Sequence, residues 1–353
     1  MRRFTFLLIF SIVIPSKAQN LNAYHDYRGY FYVFDNGKTT QLEHLGASEY
    51  AIGDKCVVYI DNNNHFKAYC NGKVYTVSQS VTDYKLTDNV CAYKVADQLY
   101  VFDNGEKKLL SINVKRYDAG DNIVVFFDEI DQMLKAYYHG EIIDMEDALS
   151  DAPLYNFKVT DNIAAYLDNK NYLKVFVNGK VEEVIYYSSK IRYAVGGDLL
   201  VYVDQADNTF YVYDKGEVIP LESFPPKSYK LGDGFVAYID NAGTFKFYRD
   251  SYKETILNFE PSFYQVKDNL IIYSERDYFY VYYNNRSYTI EDYIPSDYQF
   301  DYNSVAYKDV NGNLKLYKEG EITIVTYEKV NQYKLVGNTL YYEEGIGTDK
   351  VVY

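Results

Sequence analysis

The sequence predicts an all-β chain built from about ten copies of one short four-strand unit. A repeat, a turn signature and a residue bias carry that reading. Each copy is an aromatic residue, then a Gly-Asp or Asp-Asn turn, then an apolar strand ending in Tyr or Phe. Copies begin at Tyr50, Tyr84, Tyr117, Phe157, Tyr193, Tyr229, Tyr264, Tyr298 and Tyr333, 33 to 40 residues apart. A fixed period of this size means one supersecondary unit, copied and stacked. The bias is 44 Tyr and 20 Phe against no Trp. Tyr suits strands, where it packs a flat face and keeps its hydroxyl at a wet edge.

The first element is not part of the array. Residues 1–18 read as a secretory signal: Arg2 and Arg3 form a basic region, 4–15 an apolar run, and Ser16-Lys17-Ala18 a small-residue cleavage site. A run of 12 is short of the roughly 20 residues that span a bilayer. No second apolar run of membrane length follows, so no transmembrane segment is expected in the mature chain. Residues 19–353 read as one domain, placed in the periplasm or outside the cell. Cleavage removes three positive charges and moves the net charge from −14 to −17. An acidic surface of that size repels phosphate backbones and argues against nucleic acid.

The copy at Asn156 shows the unit. Residues 156–159 form a first strand, turned by Thr160-Asp161-Asn162 into a second, 163–167. Residues 168–171 turn it into a third, 172–177, and Asn178-Gly179 into a fourth, 181–185. Asn-Gly between apolar runs signals a two-residue hairpin, because a type I′ turn needs two residues tolerant of positive φ. The same turn recurs at Asn36-Gly37, Asn71-Gly72 and Asn104-Gly105, with relatives at His139-Gly140, Lys215-Gly216 and Glu319-Gly320. It is degraded at Asp250-Ser251 and Asn284-Asn285. Both faces of 163–167 are apolar, so the sheet is covered on both sides. Ala precedes the strand's Tyr at Ala23, Ala92, Ala165, Ala237 and Ala306, which lets a neighbouring sheet approach closely.

Small four-stranded antiparallel sheets, covered on both faces and stacked in series, are the blades of a β-propeller. The chain resembles β-propeller repeat proteins over its whole mature length, in the four-strand meander only. It has no Trp-Asp dipeptide, no kelch Gly-Gly and no Asp-box with its Trp, so no functional residue carries over from a named subfamily. An open β-solenoid is the alternative. Residues 22–26 align with 305–309, so the mature chain starts at a second strand and ends, at 351–353, in a third. The count is nine or ten blades, with strands left over for a single composite blade. The longest interruption, 145–154, reads as an enlarged loop.

The strongest candidate site is the turn between second and third strands. An acid recurs there: Asp26, Asp61, Asp128, Asp168, Asp204, Asp240 and Asp309. Seven equivalent carboxylates would place an acidic ring on one rim, fit for Ca²⁺ or a basic partner. The competing reading is that Asp starts turns by bonding its own backbone. Asp309-Val310-Asn311-Gly312-Asn313 looks most like a Ca²⁺ loop but lacks the closing Glu. His25, His44, His65 and His139 fall at non-equivalent repeat positions. A hairpin centred on Asn63 sets Cys56 opposite Cys70. In an oxidising compartment they would form a cross-strand disulfide, the alternative being two buried thiols, with Cys91 unpaired either way.

No nucleophile elbow, phosphate loop or dinucleotide fingerprint occurs. The missing Trp weakens a sugar-binding surface. Pairs such as Tyr137-Tyr138, Tyr186-Tyr187 and Tyr282-Tyr283 send one ring to each strand face, some reaching a surface where Tyr favours protein contacts. The expectation is a secreted or periplasmic, non-catalytic protein-binding or scaffold module with a protein partner. Its rivals are an envelope enzyme acting on glycans or peptides with carboxylates near a central channel, and a Ca²⁺ or small-ligand receptor using the acidic rim.

Overall fold

A computed structural model describes residues 20–148, 154–187 and 191–353, and the expected signal sequence lies outside them. The regular elements described are strands alone, in ten antiparallel sheets arranged as a propeller. In chain order the blades are residues 21–43, 49–78, 83–111, 114–147, 157–185, 191–222, 228–257, 264–291, 298–326 and 330–352, numbered one to ten here. No described helix is long and apolar enough to cross a membrane.

Blade five shows why the residues fold this way. Its strands are Phe157–Thr160, Ile163–Leu167, Leu173–Val177 and Lys180–Ile185. Asn178 and Gly179 both take positive φ, 51° and 77°, as a type I′ turn demands. Even the degraded turns comply: Asp250 and Ser251 sit at 48° and 63°, Asn284 and Asn285 at 48° and 58°. The flanking strands impose the turn where the sequence alone would not. On the second strand alternate residues serve opposite neighbours. Ala164 and Tyr166 pack with Val125 and Phe127 of blade four, while Ala165 and Ile163 pack with Leu200 and Tyr202 of blade six. Ala23, Ala92, Ala165, Ala237 and Ala306 are all fully buried, which is where adjacent sheets come closest.

Of the loop expected over 145–154, residues 149–153 lie outside the described residues, and the flanking ones are more ordered than a loop. The last strand of blade four runs Glu141–Asp147, and Met145 and Leu154 join the buried cluster around Phe157. Apolar burial extends the strand past the point where the repeat pattern stops.

First strands of neighbouring blades contact one another, so they line the central channel and fourth strands form the rim. Eight blades have four strands. Among the described residues blade one lacks the inner strand and blade ten the outer one. No composite blade forms; each end keeps its own three-stranded sheet and the two pack together. Tyr24 stacks on Tyr341 with centroids 4.2 Å apart, and Asn22 Nδ2 donates to the Thr339 carbonyl at 3.1 Å. Across the gap left by the missing inner strand, Lys334 Nζ of blade ten donates to Tyr50 Oη of blade two at 3.1 Å. The ring is closed, which excludes the open solenoid.

Candidate functional site

A four-strand meander puts second–third turns and blade-to-blade connections on one face, and first–second and third–fourth turns on the other. The seven predicted aspartates all lie on the first of these faces. Each organises its own turn. Asp168 Oδ1 accepts from the Lys170 and Tyr172 amides at 2.8 Å each, and Asp309 Oδ1 from Asn311 and Asn313 at 2.9 Å. Asp26 and Asp61 accept the same pair of amides, while Asp128, Asp204 and Asp240 accept from Ile130, Ala206 and Thr244.

Most of them also meet a lysine. Lys67, Lys174, Lys246 and Lys315, on the third strands, lie 2.8, 3.2, 2.8 and 3.4 Å from Asp61, Asp168, Asp240 and Asp309. The same ammonium groups reach Glu43, Glu146, Glu222 and Glu291 of the preceding blade at 2.7–2.8 Å. Those glutamates accept in turn from Tyr59, Tyr166, Tyr238 and Tyr307. Lys135 pairs with Asp128 at 3.4 Å. Where the third strand carries Tyr in place of Lys, the two tyrosines stack instead, as in Tyr93–Tyr100 and Tyr273–Tyr280. Asp61, Asp168, Asp240 and Asp309 are therefore parts of inter-blade clamps, while Lys135 ties Asp128 within blade four. Charge pairing and turn amides hold the Asp61, Asp240 and Asp309 carboxyls below their usual value against the opposing effect of burial.

The opposite face carries an acidic ring that the sequence reading passed over. It is made from the repeat's own signature turn. Asp54, Asp88, Asp121, Asp161, Asp233 and Asp268 occupy equivalent first–second turns around the channel mouth, with Asp198 and Asp301 one position away. Successive turns interlock: the Lys55 amide donates to the Asp88 carbonyl at 3.1 Å, Asn122 to Asp161 at 2.9 Å and Asp233 to Asp268 at 2.7 Å. A side-chain ladder runs from Asn89 to Asn122 to Asn162 to Asp198 at 2.6–3.0 Å. Loss of hydration in the crowded mouth, then the charge of neighbouring carboxylates, pushes Asp88 up to about 7 and Asp121 to about 6, while burial and then its hydrogen bond with Asp301 raise Asp268. Among the described residues no group of three or more His, Cys, Asp or Glu is placed to hold a metal ion.

This ring has a pH signature. A raised Asp88 pKa means that the folded chain holds its proton more tightly than the unfolded chain between 3.8 and about 7. That contribution to stability is complete below the unfolded value and is lost as pH rises through the folded one. Asp88→Asn should therefore raise Tm at about pH 8 and flatten the fall in Tm from about pH 5 to 8. Melting curves across that range check it, and identical slopes for the two proteins would refute the crowding.

The face with the clamps carries a second pattern. Leu45, Ile112, Phe224, Phe259, Ile294 and Tyr327 stand on six of the blade-to-blade connections, the last four in succession, between 40% (Ile294) and 76% (Tyr327) exposed. Tyr186 and Tyr187 join them; both are exposed because they lie beyond the strand end at Ile185, not on alternating faces. At the tips of second–third turns Tyr27, Ile130, Val310 and Ile346 are exposed on the same face. Pro225-Pro226, Pro261 and Pro295 follow closely on Phe224, Phe259 and Ile294 and stiffen those connections. The remaining tyrosine pairs split as expected, Tyr137 and Tyr282 buried and their neighbours half-buried.

Cys56 and Cys70 pair directly in register and are disulfide-bonded, with Cα atoms 4.5 Å apart, and Cys91 is a buried free thiol. The histidines are scattered. His25 sits at the seam against Phe31 and Tyr50, where burial lowers its pKa. His44 meets Gln41, His65 lies 3.5 Å from Asp61, and His139 forms a hairpin turn at φ 47°.

A ring of ten such blades defines a family, and the chain belongs to it: residues 15–353 match the 10-bladed β-propeller domain. No curated protein sequence matches the chain. Among solved structures, the computationally designed protein Ika8 is similar at 18% identity and TM-score 0.35, over 77% of this chain and 96% of its own. Prp20p of Saccharomyces cerevisiae is similar at 12% and 0.35, over 62% and 80%. PorZ, a surface component of the type-IX secretion system of Porphyromonas gingivalis, is similar at 10% and 0.32, over 90% and 54%. Likeness at that level carries no functional argument.

Proposed function

We propose that the chain is a secreted or periplasmic, non-catalytic scaffold that binds a protein partner on the face bearing the apolar connections. The observation that carries this is positional. Seven of the described blade connections, including every one from blade five to blade ten, present a large exposed apolar side chain within three residues of the preceding strand's end, several of them on proline-stiffened backbone. Single exposed apolar residues are ordinary, whereas a contiguous set on one face marks an interaction surface. Stiff connections reduce the ordering cost of association. Lysines pair with five of the seven aspartates of this face, so its chemistry combines exposed apolar groups with paired charge, which suits a protein interface. An anionic membrane is a poorer match, because the net charge is −14 and polybasic segments are what such surfaces attract.

The test is a cross-linked pull-down of tagged protein from its native envelope, run beside Phe224→Asp/Ile294→Asp. Both side chains are exposed, so Tm should not move. The wild type should recover specific envelope proteins, and the variant should lose them by about tenfold or more. Equal recovery by both would reject this face as the docking surface. Recovery of the wild-type protein alone would reject the scaffold reading.

A further inference from the structure

On the other face, a cleft of about 740 Å³ runs outward between blades three and four. Its origin lies in one residue choice. In blades two, four and eight the third position of the fourth strand faces the third–fourth turn of the next blade, whereas Gly72 and Gly216, beyond the smaller or polar Thr40 and Glu182, have open space. Tyr75 fills the gap beside Gly105, Ile143 beside Gly179 and Tyr288 beside Gly320, with contacts of 3.0–3.8 Å to where a Cβ would stand. The equivalent residue in blade three is Lys108, and the matching glycine, Gly140, has nothing within 4 Å of that point. Lys108 leans across the gap, its Nζ donating to the Gly140 carbonyl at 2.5 Å and lying 5.6 Å from the Tyr137 ring centroid. A flexible cation thus replaces a plug, and the gap stays open.

The lining is unusual for so acidic a chain. Lys55 stands at the inner end with Asn89 and Asn122, all in channel-mouth turns, and Lys108, Asn104 and His139 stand at the outer end, while the Lys107 ammonium lies over Tyr100 on the sheet face turned to blade two. Two acids share the wall. Asp103 accepts from Tyr137 Oη at 2.9 Å and from Asn104 Nδ2 at 2.8 Å, and Glu106 stands beside it. The cleft between blades five and six, about 440 Å³, has the opposite balance, with Glu182 and Asp198 against Lys215. The ring of Tyr137, the tyrosine lining the larger cleft, is already covered by Lys108, so no bare ring is left for a sugar to stack on.

We propose that this cleft binds a short acidic peptide segment, laid radially with carboxylates toward the inner Lys55 and the outer Lys108. The volume falls in the range of small-ligand sites. The site stands on different residues and on a different face from the apolar docking surface, so either can fail alone.

The test is fluorescence anisotropy with a labelled Glu-rich octapeptide and the full chain, beside Lys108→Tyr, Lys55→Glu and Phe224→Asp/Ile294→Asp. Lys108→Tyr supplies the plug used by neighbouring blades and should keep or raise Tm. Expected results are saturable binding that weakens with salt, a loss of about tenfold or more in Lys108→Tyr and in Lys55→Glu, and no change in the docking-face variant. A Lys-rich octapeptide should not bind. No saturation by about 1 mM, equal binding of the basic peptide, or unchanged affinity in Lys108→Tyr would each overturn the proposal.

Discussion

Lys174→Met is expected to lower stability by about 3 kcal/mol. Lys174 Nζ lies 2.7 Å from Glu146 of blade four and 3.2 Å from Asp168 in its own blade. Its side chain is only 12% exposed, Asp168 7% and Glu146 19%. Burial works against the ammonium charge, yet the two carboxylates outweigh it and hold its pKa above the usual lysine value. Removing the cation leaves two like charges facing each other with little water between them. Breaking a fully buried pair in this way costs about 3–5 kcal/mol, and the partial exposure here places the effect at the low end. Adding Glu146→Gln to Lys174→Met should restore part of the loss, since the repulsion disappears while the amide can still accept from Tyr166. Urea unfolding of the single and double variants measures both effects. A change under about 1 kcal/mol in the single variant would mean that the clamp is a surface ion pair and holds no blades together.

Gly120→Ala is expected to cost about 3 kcal/mol or more, for a steric reason. A Cβ on Gly120 would stand 2.2 Å from the Thr160 carbonyl oxygen and 2.4 Å from its carbon, both backbone atoms of the next blade. The two turns cannot part without breaking the Asn122 amide bond to Asp161 and the Asn122–Asn162 side-chain bond. Gly72→Ala is the informative comparison. Gly72 has a positive φ of 75° but open space around it, so conformational strain alone, about 1–2 kcal/mol, should apply. Thermal unfolding of the two variants should separate them clearly. Equal losses would show that the mouth turns have room to relax.

The blade was legible because its signals are local. Asn-Gly hairpins, the Ala-Tyr second strand and the apolar alternation each act within a few residues, and together they define strands within a residue or so of those observed. Closure was not legible, since which sheet packs on the first one depends on contacts such as Tyr24–Tyr341, far apart in the chain. The acidic ring at the mouth was hidden in the repeat signature itself. Gly-Asp and Asp-Asn read as turn formers, and only the innermost position of those turns brings their carboxylates together. The lysine clamps did leave a trace. Asp61 and Lys67, Asp168 and Lys174, Asp240 and Lys246, and Asp309 and Lys315 are each six residues apart, a spacing that a four-residue turn converts into contact. The cleft had no such trace, because Lys108 matters only through the residue absent from beside Gly140.

The backbone-to-backbone seating of the mouth turns has a mechanical consequence. Side chains can change rotamer and a pore lined by them can breathe, but adjoining peptide groups at hydrogen-bonding distance leave no slack. Where the turns meet in this way, between blades two and three, four and five, and seven and eight, load on one wedge passes directly to the next. Change by gain or loss of a single wedge is also discouraged, since the ring would no longer meet itself. Diversification is left to the letters inside each wedge, as the exchange of one plug for a lysine illustrates.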